Sequence, residues 1–177
     1  MAITASNVLI KYSTKSGSAG NSLTGTAAGS LGKYISTTEI TDASSSNLFA
    51  AMAGSETITS TPRYRCIFVH NNHGTDTFTA PVVWISAEVA KGASVALAVD
   101  DTAASAVGSA SAQAREITDD QTAPSVITFS SPTTKVAGLS LGDIGPGQCK
   151  AFWVRRTPPN HNMWLANDGA TFTIEGT

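Results

Sequence analysis

The chain has 177 residues, with 11 Lys and Arg against 13 Asp and Glu, for a formal net charge of −2. That length supports one packed core and leaves little for a second, and it lacks the dense basic stripe that a general nucleic-acid binder needs to release counterions from phosphates. Charged residues are only 14% of the chain, so solubility rests on hydroxyls and amides, and nowhere do about 18 apolar residues run together as a membrane span would require.

The start, MAITASNVLIKYS, has neither a basic n-region nor a long apolar h-region, so the expectation is a protein made in the cytoplasm without a signal peptide. Residues 1–61 are dominated by Ser, Thr, Gly and Ala, with apolar patches at Val8, Leu9, Ile10 and Tyr12, at Leu31, Tyr34 and Ile35, and at Leu48, Phe49 and Met52. So few apolar groups hardly offset the cost of ordering a backbone. This predicts an extended, mostly irregular N-terminal arm that orders by lying on something else, and that can be cut at residue 45 without unfolding the rest. Within it, a Ser or Asn cap, the Leu48/Met52 spacing and Gly54 predict a short helix near 46–53.

Residues 62–177 read as an all-β domain. The run at 64–71 places Tyr64, Cys66 and Phe68 on one face and Ile67 and Val69 on the other, which predicts a central strand buried on both sides. A polar turn at 72–76 leads to a strand at 78–87 and another at 93–99. An Ala/Ser linker over 102–112 and weak strands near 115–117 and 126–129 follow. Residues 136–141 lead into the turn Gly142-Asp143-Ile144-Gly145-Pro146-Gly147, then a second strong strand at 149–156 that ends before Pro158-Pro159. A last hairpin joins 163–166 to 170–175 through Asn167-Asp168-Gly169. Seven or eight short strands without a long amphipathic helix predict an antiparallel β-sandwich, immunoglobulin-like or jelly-roll in connection.

Candidate chemistry weakens when spacing is tested. Ala27-Ala28-Gly29-Ser30-Leu31-Gly32-Lys33 resembles a phosphate loop, but Tyr34 stands where Ser or Thr is needed. His70 and His73 flank a turn, and His161 sits in a polar loop. The pairs Asp100-Asp101 and Asp119-Asp120, with Asp143, can be imagined around Ca²⁺ but follow no EF-hand spacing. There is no Gly-X-Ser-X-Gly elbow and no carboxylate pair in an aromatic setting, so no enzyme, cofactor or metal is expected. Cys66 and Cys149 read as free buried thiols, a bridge requiring Cα atoms within about 6 Å. Trp84 and Trp153, in strand-like runs, are expected to pack in the core.

The arginines are more informative. Arg63 and Arg65 begin one strong strand, and Arg155 and Arg156 end the other. If those strands are neighbours, four guanidiniums converge at one end of the sheet, able to hold a partner's carboxylates by bidentate hydrogen bonds. Together with the arm residues Leu31, Tyr34, Leu48 and Phe49, they are the candidate partner-binding residues.

Ser30-Leu31-Gly32, then Asn47-Leu48-Phe49 with Gly54-Ser55-Glu56, then Tyr64-Arg65-Cys66-Ile67-Phe68-Val69-His70-Asn71, stand in an order that resembles small structural proteins encoded among bacteriophage virion genes. Thr122-Ala123-Pro124, the 142–147 turn and Phe152-Trp153-Val154-Arg155-Arg156-Thr157 are similar to the same group, so the likeness spans most of the chain. Two positions depart from that pattern, Arg63 and Ala50 standing where it carries acids. The resemblance implies a capsid decoration, or cement, protein on the virion surface that binds the major capsid protein and copies of itself as a dimer or trimer, stabilising the head. No nucleic acid or membrane partner is expected. A tail, fibre or baseplate component, or a carbohydrate-binding adhesive module, are the alternatives.

Overall fold

The computed structural model describes residues 3–52, 59–160 and 168–177. Among them, nine strands form two antiparallel sheets: β1 (Val8–Thr14), β2 (Tyr34–Glu39), β3 (Arg63–Asn71), β4 (Val82–Glu88), β5 (Ser94–Val99), β6 (Ser105–Ala106), β7 (Leu139–Ser140), β8 (Gln148–Thr157) and β9 (Ala170–Glu175). The larger sheet runs β2-β1-β3-β8-β5 with β6 beside β8, and the smaller runs β7-β4-β9. Packed face to face, they make a β-sandwich.

β3 and β8 pair along eight residues, from Arg63 opposite Arg156 to His70 opposite Cys149. One face of this ladder carries Ile67, Val69, Phe152 and Val154, which meet Val83, Ile85, Leu141 and Ile144 between the two sheets. The other face carries Tyr64, Cys66, Phe68, Cys149, Ala151 and Trp153. Among the described residues no third sheet covers it. Ile35 and the loop residues Leu31, Val107, Ala114, Ile117, Ile127 and Phe129 close it instead. Both strands are thus apolar at successive positions because both faces are buried, as expected for 64–71.

The loop layer needs its polar groups satisfied, and buried side chains do this. Gln113 accepts from Ile35 N at 3.1 Å and donates to Ala106 O at 2.8 Å and towards Cys149 Sγ at 3.2 Å, joining β2, β6 and β8. The buried Asp100 carboxylate accepts from Trp153 Nε1 at 2.8 Å, Arg115 N at 3.0 Å and Thr102 N at 2.9 Å. Gly32 holds φ at +96°, and a Cβ there would collide with the Arg115 carbonyl, so only glycine lets the 29–33 and 113–117 segments meet.

Several expectations change. Residues 8–14 and 34–39, placed in the arm, are strands β1 and β2, and β1 lies between β2 and β3 inside the larger sheet. The low apolar content misled because Ser13, Ser30 and Ser36 are themselves fully buried, with Ser13 Oγ accepting from Gly32 N at 2.9 Å and Ser30 Oγ donating to Thr26 O at 2.8 Å. Small hydroxyl residues that satisfy their own hydrogen bonds can line a core as well as a loop. Residues 46–52 form turns and bends rather than a helix; Ala53 lies outside the described residues. The weak strands near 115–117 and 126–129 reduce to single bridges, Gly32 with Glu116 and Leu97 with Ser130. His161, Trp164 and the first arm of the hairpin at 163–166 lie outside the described residues.

Cys66 faces Trp153 and Cys149 faces His70 in one ladder. Four residues along a strand is roughly 13 Å, beyond the reach of a disulfide, and both thiols are free. Trp153 is fully buried. Trp84 is not in either core: it stands between the inward-facing Val83 and Ile85, opposite Thr173, on the outer face of the smaller sheet.

Removing residues 1–45 deletes β1 and β2 and bares the edge of β3. The truncated chain is expected to lose cooperative thermal unfolding, which circular dichroism measures; a sharp transition near that of the intact chain would contradict the placement of β1 in the sheet.

Candidate functional site

The β3–β8 register explains how the four arginines meet. Pro62 precedes β3 and Pro158 follows β8, and because the strands are antiparallel both boundaries fall at the same end of the sheet. Arg63 lies directly opposite Arg156, and Arg155 opposite Tyr64. Opposed residues share a face, so Arg63, Arg65 and Arg156 belong to the side of the smaller sheet and Arg155 to the loop-covered side.

Three like charges at adjacent positions repel unless something lies among them. Beyond the end of β1, the open edge of β3 is taken over by loop carbonyls, with Cys66 N donating to Ser30 O and Tyr64 N to Asp120 O, both at 2.8 Å. This brings the Asp120 side chain between two guanidiniums, at 2.5 Å from Arg63 Nη1 and 2.8 Å from Arg65 Nη2. Burial pushes the Asp120 carboxyl up, but the hydrogen bonds from Arg63 and Arg65 outweigh it and hold it below the usual aspartate value.

Phe49 supplies the second counterpart. Its ring lies 5.4 Å from the Arg65 guanidinium and 4.9 Å from that of Arg156, whose Nη1 also donates to Ala50 O at 2.7 Å. Beside it Leu48 enters the core between the sheets, and Tyr12 Oη donates to the Asn47 carbonyl. Segment 47–50 is therefore fastened to the arginine end by one apolar, two cation–π and two hydrogen-bonded contacts. On the opposite face, Arg155 stacks over Phe129 at 5.3 Å, and Phe129 meets Tyr64 at a ring separation of 5.5 Å.

The structure thus brings Arg63, Arg65 and Arg156 together on the side of Phe49 and Leu48, and sets Arg155 on the opposite face of the same strand end. Leu31 and Tyr34 lie apart, in and beside the loop layer: Leu31 packs on its apolar cluster, and Tyr34 is buried with its hydroxyl donating to Ala110 O at 3.1 Å. In the sequence Asp120 suggests no more than a calcium ligand, and nothing local ties it to an arginine 57 positions away. The other carboxylates of that group also hold protein donors: Asp101 takes Arg115, Asp119 the N–H groups of Gln121 and Thr122, and Asp143 that of Ala80. Among the described residues no group of three or more His, Cys, Asp or Glu is placed to hold a metal.

The Gly-rich segment 27–33 borders a shallow cavity of about 280 Å³. The backbone N–H groups of Gly29, Ser30, Leu31, Gly32 and Lys33 are all donated internally, to Thr26 Oγ1, Ala27 O, Gly29 O, Ser13 Oγ and Arg115 O. None is left to cradle a phosphate. His73 uses Nδ1 to accept from Asp76 N at 2.9 Å, whereas His70 is 4% exposed in β3 with Nδ1 unpartnered. Burial, with help from Lys11, lowers His70 to about 4. Burial likewise raises the Cys66 thiol well above its ordinary value and that of Cys149 to about 12, so neither is an activated nucleophile.

Comparison of the chain with protein-family models, with curated proteins and with solved structures returned no match.

Replacing Asp120 with Ala leaves Arg63 and the buried Arg65 without their shared carboxylate, and is expected to cost about 1–3 kcal/mol in urea unfolding. Because the Asp120 carboxyl is lower in the folded than in the unfolded chain, its contribution is full above the ordinary aspartate range and is lost as pH falls through the folded value. His70 acts in a higher window. Its folded value of about 4 lies below the unfolded 6.5, so the unfolded chain binds the extra proton between them. Stability is full above 6.5 and falls towards pH 4, by at most about 3 kcal/mol. A His70→Gln chain should show a flatter stability–pH slope across that window; an unchanged slope would remove His70 as its cause.

Proposed function

We propose that this chain is a structural component of a phage virion, a decoration or cement protein that sits on the outer surface of the capsid, contacts the major capsid protein and stabilises the shell. The observation that carries this reading is the setting of Arg65 and Arg156 around Phe49, with Arg63 opposite Arg156, and of Arg155 over Phe129 on the other face, at one end of a β-sandwich. Arginine and aromatic side chains are the groups that dominate protein–protein recognition. The likeness of the motifs between Ser30 and Thr157 to phage structural proteins supports the virion setting. Association with further copies, as a dimer or trimer, multiplies weak contacts on a symmetric shell.

Trp84, half-buried on the outer face of the smaller sheet, favours a second reading as an adhesive, carbohydrate-binding module, since an indole turned away from the core can stack on a sugar ring.

Mass spectrometry and electron microscopy of purified particles of the phage that encodes the chain separate these readings. The decoration reading expects many copies on the head and heads that rupture at lower temperature when the coding sequence is deleted. Density only at the tail would favour a fibre or baseplate component, and absence from the particle would sink the virion assignment.

A further inference from the structure

The four arginines are not equivalent. Arg63 and Arg65 share Asp120, and Arg156 is held by Phe49 and the Ala50 carbonyl. Elsewhere Lys15 and Lys33 meet Glu116, Arg115 meets Asp101, and Lys135 meets Glu175. Arg155 has no carboxylate among the described residues. Its guanidinium lies on the Phe129 ring, and its Nε is buried without a hydrogen-bond partner. Arg155 is partly exposed, and its two Nη groups are neither fully buried nor hydrogen-bonded among the described residues. A guanidinium oriented by an aromatic shelf, with its bidentate edge free, has lost part of the freedom it would otherwise lose on binding.

The same loop carries a second unusual residue. Val126 is 89% exposed and holds φ at +61°, a left-handed conformation that a β-branched side chain strongly disfavours. Nothing in the fold offsets that strain by burying the side chain. Ile127 and Phe129 pack against the core, and Ser130 exchanges backbone hydrogen bonds with Leu97 of β5, at 2.9 and 2.7 Å. The loop is thus pinned on one side and projects Val126 outwards. Val126 and Phe129 are three positions apart, so their Cα atoms are no more than about 11 Å from each other.

We infer that Arg155, presented on the Phe129 ring, and the exposed Val126 of the same loop anchor this face to a partner protein by gripping a surface carboxylate flanked by an apolar patch. This rests on the reading of the chain as an attachment protein and assigns the loop-covered side, rather than the side of the smaller sheet, as the face that meets the shell. The free fork supplies the charge complementarity: a carboxylate takes both Nη donors in one plane, and the valine covers apolar surface next to it.

The test is rebinding of purified protein to particles stripped of it, measured by co-sedimentation across a range of salt concentration, with a thermal melt for each variant. Arg155→Gln is expected to weaken attachment by about tenfold or more and to reduce its salt dependence. Arg155→Lys should restore only part, because it keeps the charge and loses the planar fork. Val126→Asn relieves the backbone strain, so it should melt no lower than the parent and yet attach more weakly, a combination that unfolding cannot produce. Lys135→Gln, a charge change on the other side, should attach like the parent. If Arg155→Gln or Val126→Asn attaches as well as the parent, the inference is overturned and the virion reading stands. If the parent protein itself fails to rebind, both fall together.

Discussion

The rest of the molecule depends on the pairing of β3 with β8. Eight consecutive residue pairs bury both faces of the ladder, with Phe68, Val69, Phe152, Trp153 and Val154 among the least exposed side chains. At roughly 1.5–3 kcal/mol for each large apolar side chain buried, this is the main source of cohesion. It also imposes a cost at its end, since the antiparallel register sets Arg63 against Arg156. Asp120 and Phe49 answer that cost, and each is delivered by a segment distant in sequence.

Two unlike layers cover the ladder. On one side a small three-stranded sheet supplies aliphatic side chains in the usual manner of a sandwich. On the other the cover is irregular chain, which has backbone groups to satisfy and few regular partners for them. Gln113, Asp100 and the buried serines meet that need, with Gly32 permitting the close approach of two loops. The loop layer is held by specific hydrogen bonds as much as by area, and it also shapes the surface around Arg155.

Much of the architecture was legible. The two strong strands, the small-sheet strand at β4, and β5 and β9 all stand close to the positions that alternation predicted, and the convergence of the arginines followed once β3 and β8 were neighbours. β1 and β2 were missed because they carry the buried hydroxyl residues Ser13, Thr14 and Ser36, whose burial a hydropathy reading does not register. Trp84 was expected inside because it sits in an apolar run, but a strand that covers only one side of a core sends every second residue outwards. Leu31, Tyr34, Leu48 and Phe49, expected to seek grooves on a partner, are engaged within the chain itself.

By itself the sequence determined the all-β class, the central place of residues 64–71 and the gathering of basic residues beside the prolines that bound the two strands, because these follow from local alternation and from what proline cannot donate. Only the tertiary structure decided which arginines are neutralised. The sequence places Asp120 and Phe49 far from the charges they meet, and a carboxylate's partner is chosen by the path of the loops that bring it there. That path leaves Arg155 on the far face with its fork open.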